Sequence, residues 1–179
     1  MKEQFRAILL AMIIATVFTS HAFAQEAPDP RESPVAISQT VVEDTYMKVV
    51  YGQPLMRDRI IFGELVPFDE IWRTGANEAT QIYFDSDVMI DGERVEAGMY
   101  SVFTIPGEDT WTIILNEELG LWGAFDYDTE YDVLRTEAEA HPTDEQWEAL
   151  NIDFEEASDG ARLVLKWEDT MVRLPIHLN

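Results

Sequence analysis

Arg73, Asn77 and Glu78 fall within the short stretch RTGANEAT, residues 73–80, which lies between apolar runs. A guanidinium offers a planar fork of donors that matches a carboxylate. An asparagine can satisfy backbone groups across a turn, and Gly75 permits a positive φ or a close backbone approach. Three chemistries suit this set. The side chains can brace the turn by satisfying one another. Arg73 can instead hold an anionic or polyhydroxylated ligand in a concave site. Glu78 can also serve as a catalytic acid or base in an extracellular hydrolase acting on carbohydrate. That last reading needs a second carboxyl roughly 5 Å or about 6.5–9.5 Å away. With 35 Asp and Glu in the chain, such pairs arise by chance. Arg57 and Arg59 flank Asp58 nearby. If these two and Arg73 converge, they make a positive spot suited to a carboxylate; otherwise each is claimed by a neighbouring acid. The expected contact surface is Arg59, Arg73, Asn77 and Glu78, with Tyr51 and Trp122 beside it.

Other chemistries have less to work with. DYDTEYD places Asp126, Asp128, Glu130 and Asp132 at alternate positions. Calcium takes six to eight oxygens, so this run is a weak calcium alternative, although Tyr131 stands where an EF-hand loop needs glycine. No metal or other cofactor is expected. Cysteine is absent, which excludes thiol catalysis, cysteine-bound zinc and disulfides. Past the first 24 residues only His141 and His177 remain, too few for a typical zinc centre. Ser101 sits in a strand-like run, and no G-x-S-x-G, P-loop or G-x-G-x-x-G pattern is present. Of the five tryptophans, Trp111 and Trp167 lie inside strand patterns and read as core. Trp122, between Gly120 and Gly123, is the best stacking surface.

These groups must be positioned by strands. YMKVVYG (46–52), TQIYFD (80–85), VMI (88–90), MYSVFTI (99–105), WTIILN (111–116), RLVLKW (162–167) and MVRLPI (171–176) are short and rich in β-branched and aromatic residues. Asp91-Gly92, Pro106-Gly107 and Asp159-Gly160 punctuate them as turns. The expectation is a single all-β domain over 37–179, an antiparallel sandwich or barrel-like fold. One or two helical turns are expected, at 143–150, where Thr143 and Gln146 form a capping box, and at 67–72.

The formal net charge is −23, with 12 Lys and Arg. Such a surface repels nucleic acid and anionic lipid. At the start, Lys2 and Arg6 precede a twelve-residue apolar run (7–18), and AFA (22–24) follows it. That is the pattern of a cleaved secretory signal, so 1–24 reads as a leader, followed by a disordered Pro-rich and acidic lead-in over 25–36. Export to the periplasm or beyond, without stable membrane insertion, is expected.

The blocks VYGQP, RDRIIFGELVPFDEIWRTGANEAT, AGMYSVFTIPG, WTIILN, WGAFDYD and LVLKWEDTMVRLPI together resemble the exported bacterial family called domain of unknown function 2911. The resemblance runs from about 41 to 176 and implies a leader, a mostly β fold and no established activity. The residues at 140–152 depart from it. The overall expectation is a non-enzymatic, exported module that binds a small polar or anionic ligand or an envelope protein.

Overall fold

The computed structural model describes residues 29–178; the leader expected at 1–24 lies outside the described residues. The chain divides into two units, Met1–Pro30 and Arg31–Asn179, and every strand among the described residues belongs to the second. The strands are β1 (Val35–Val42), β2 (Thr45–Gly52), β3 (Thr80–Phe84), β4 (Val88–Ile90), β5 (Glu93–Val95), β6 (Gly98–Ile105), β7 (Thr110–Asn116), β8 (Asp132–Ala157) and β9 (Gly160–Leu178). They form one antiparallel sheet in the order β1-β2-β3-β6-β7-β8-β9-β4-β5. The all-β expectation holds, realised as a continuous sheet that does not close.

Sequence alternation sets the two faces, because successive side chains of a strand point to opposite sides. In β7, Ile113 and Leu115 enter the main core, while Ile114 enters a smaller cluster with Phe103, Ala79 and Leu121. Trp72, Trp111, Trp167 and Phe62 meet at the centre of the main core. Trp72 and Trp167 stack 6.0 Å apart at 17°, and Phe62 meets Trp111 edge-on at 4.9 Å. Trp111 and Trp167 are buried as expected, and so is Trp72.

Three expectations are corrected. Residues 143–150 are not helical but belong to β8. Thr143 Oγ1 donates to the Glu145 carbonyl rather than capping an N–H. The backbone of this stretch bonds sideways: Met56 N donates to Glu148 O (2.6 Å) and Leu150 N to Pro54 O (3.0 Å). Those lateral bonds, with two bulges against β9 between Pro142 and Asn151, override the local capping signal. Nor is 67–72 helical; the helical turn among the described residues is a 3-10 turn, Thr129–Tyr131, inside the acidic run. The lead-in, expected to lack structure through 36, pairs as β1 from Val35 and makes side-chain contacts from Arg31.

Candidate functional site

RTGANEAT folds back onto the end of β2. Ala76 N donates to Gly52 O (3.2 Å), Thr80 N to Arg73 O (3.1 Å) and Gly123 N to Asn77 O (2.9 Å). Trp72 Nε1 donates to Gly75 O (3.1 Å), and Thr80 Oγ1 to Thr74 O (2.8 Å). Gly75 is required for close approach: a Cβ there would lie 3.0 Å from Gly52 O. The turn is therefore braced, but by backbone, threonine and tryptophan rather than by the expected Arg73–Glu78 pair. Glu78 is held instead by Arg31, whose Nη1 donates to both carboxylate oxygens (2.9 and 2.8 Å). That bonding keeps the Glu78 carboxyl below its usual range. A general acid needs the opposite shift.

Among the described residues, Arg73 Nε finds no hydrogen-bond partner. It is the one such buried side-chain polar atom among them, and burial pulls the guanidinium below the ordinary arginine range. It remains charged at neutral pH, since arginine is not deprotonated in proteins. Such orphans are rare, and each calls for a reason. In so acidic a chain, that no acid among the described residues pairs with this cation is informative.

Arg73 lines a cavity of about 300 Å³ together with Arg57, Arg59, Asn77, Trp72 and Trp167. Arg59 donates from Nε to Met56 O (2.9 Å) and from Nη2 to Leu55 O (2.7 Å), so it is anchored without neutralisation. Arg57 has a loose contact with the Glu32 carboxylate at 3.3 Å. Asn77 Nδ2 donates to Ser33 O (3.3 Å). The surrounding backbone is costly: Arg57, Asp58, Thr74 and Asn77 all have φ between 52° and 65°. For β-branched Thr74 that conformation is an outlier, costing about 1–3 kcal/mol. Strain of this kind concentrates at functional sites.

Not every expected residue arrives here. Tyr51 is buried, and its hydroxyl accepts from Ile152 N (3.1 Å). It lines a separate, smaller cavity with Glu78. Trp122 is exposed and bridges Glu78 through its backbone, and it does not line the arginine cavity. Arg57, which the sequence flagged as a pair with Arg59, belongs to the site, and so do Trp72 and Trp167, the latter of which read as core. Trp72's place next to Arg73 in sequence was the available signal.

The calcium alternative finds no support in the geometry. Asp128 caps the 3-10 turn, accepting from Glu130 N (2.9 Å). Asp132 accepts from Asn116 Nδ2 (2.9 Å), Tyr127 Oη (2.7 Å) and Arg135 Nη1 (2.8 Å). No group of three or more potential ligands gathers among the described residues. His177 lies 2.9 Å from Asp159 and His141 3.7 Å from Glu139, both on the surface. Ser101 Oγ donates to Glu118 O (2.6 Å).

The Asp132 network makes its own prediction. Burial first, then the bond to Asp132, pushes the Tyr127 hydroxyl up to about 12 from 10.0. A folded pKa above the unfolded one adds stability below the unfolded value and loses it as pH rises. Stability should therefore decline from about pH 10 and reach its floor near pH 12. In an absorbance titration of tyrosinate, Tyr127→Phe should remove the latest-ionising component. An unchanged late component contradicts the assignment.

Fold and site together define an all-β protein with a cavity lined by arginine and tryptophan. A family model described as "Protein of unknown function (DUF2911)" matches residues 33–176, and the chain belongs to that family. No curated protein and no solved structure matches the chain.

Proposed function

We propose that this protein is an exported, non-enzymatic binding module whose cavity takes a small carboxylate with a flat apolar body. The observation that carries this reading is the buried, unpartnered Arg73 Nε on a wall it shares with Arg57 and Arg59. Charge-assisted bonds to such a donor are about twice as strong as neutral ones. The apolar share of the ligand faces Trp72 and Trp167. A volume of about 300 Å³ sits at the small end of ligand pockets. Export rests on the leader pattern at 1–24. The hydrolase reading loses its acid, since Glu78 is tied to Arg31 and kept ionised.

Thermal melts with benzoate, acetate, phosphate and glucose test this directly. Benzoate at about 100 times its Kd should raise the Tm by about 5–10 °C. Acetate and phosphate should do less, and glucose nothing. Equal shifts with glucose, or none with any anion, contradict the reading.

A further inference from the structure

The segment at 31–34 runs along the arginine cavity and is held there by the site's own residues. Arg31 grips Glu78. Arg57 Nη1 and Nη2 donate to the Glu32 carboxylate and carbonyl, both at 3.3 Å. Asn77 donates to Ser33 O at 3.3 Å, and Gln53 N to Pro34 O at 2.8 Å. Glu32 and Ser33 also line the cavity. Of the cavity's three arginines, the one with a carboxylate partner takes it from this strap.

We propose that residues 31–33 form a displaceable wall, in which Glu32 competes with an incoming carboxylate for Arg57. This rests on the cavity being an anion site. The strap's holds are weak where it would have to move. The Glu32 side chain is 86% exposed, and Arg31 and Glu78 are about half-exposed; such ion pairs are individually slight and salt-screened. They are firm where it would hinge, since Pro34 O is bonded at 2.8 Å and Val35 already pairs with Gly52 in β1. Arg57 lines the same cavity as Arg73, so a carboxylate bound there meets a second cation that Glu32 holds only loosely. The exchange is one carboxylate for another on Arg57, with no proton transferred. Affinity is then reduced by the fraction of molecules in which Glu32 occupies Arg57.

The test is a benzoate titration followed by tryptophan fluorescence, since Trp72 and Trp167 line the cavity. Glu32→Gln should tighten binding about threefold or more. Glu139→Gln, an equal charge change at an exposed position on β8, should leave affinity at the wild-type value. If benzoate binds the wild type, is lost on Arg73→Met, and binds Glu32→Gln no more tightly, the strap is overturned while the site stands. If both glutamate variants tighten binding equally, general repulsion explains the effect and the strap is likewise overturned. Failure of benzoate to bind wild type and Glu32→Gln alike overturns the site and the strap together.

Discussion

Replacing Arg73 with methionine should weaken carboxylate binding by about 50-fold or more, yet leave the domain as stable as wild type or more so. The two effects share one cause. A charge-assisted hydrogen bond contributes about 1.5–3 kcal/mol, which corresponds to about 10–150-fold in affinity. In the ligand-free protein the same group is a liability, because a partly buried cation with an unsatisfied Nε has lost water without gaining a partner. Methionine keeps much of the length of the side chain and removes the charge. It is expected to add about 1 kcal/mol, the usual yield where a functional group was held at the expense of stability. Arg73→Lys separates charge from geometry: it keeps the cation but loses Nε and the planar fork, so affinity should fall between the two. Chemical denaturation and benzoate titration of the three proteins check this. A large loss of stability in Arg73→Met, with binding intact, would mean that the arginine is structural after all.

Gly52→Ala should be the most damaging single-methyl change near the site, at about 3 kcal/mol. A Cβ at Gly52 would lie 2.0 Å from the Ala76 carbonyl oxygen and 2.9 Å from its carbon. Both are backbone atoms of the RTGANEAT turn, so no flexible side chain can yield. The turn would have to lift, breaking the Ala76 N–Gly52 O bond and shifting the adjacent Gly75 carbonyl that Trp72 Nε1 holds. Binding should fall with stability, because Arg73 rides on that turn. Gly92→Ala is the matched control. It has φ 78° but nothing within 4 Å of the added Cβ, so only the left-handed backbone penalty of about 1–2 kcal/mol applies. A denaturation midpoint for Gly52→Ala at or above that of Gly92→Ala contradicts the close-approach argument.

Much of the fold was legible because its signals are local. β2, β3, β4, β6 and β7 follow β-branched and aromatic runs, and Asp91-Gly92 closes the hairpin in which Ile90 faces Glu93. β1, β5 and β8 beyond its start were missed. β1 follows a charged, proline-rich lead-in, and β8 carries a real capping box at Thr143 that lateral bonds to residues 54–56 overrule. The site was half legible for a similar reason. Arg59, Arg73 and Asn77 were picked out by residue type and do share a cavity. Arg73 and Glu78 were matched because they are close in sequence, whereas Glu78's partner comes from 47 positions away. No local pattern announces Arg31. Gly52 read as a strand end, and only the folded contact with Ala76 shows what a side chain there would strike.

The sharpest test observes the Arg73 Nε–H itself by nitrogen-15 NMR. The cross-peak identified by its absence in Arg73→Met should lie, in the ligand-free protein, at the shift of an Nε–H without a hydrogen bond, then move downfield in a saturable way as benzoate is added. A resonance already at a hydrogen-bonded shift without ligand, and unmoved by any anion, would show that the guanidinium has a partner within the chain and that the cavity is not a receptor for carboxylates.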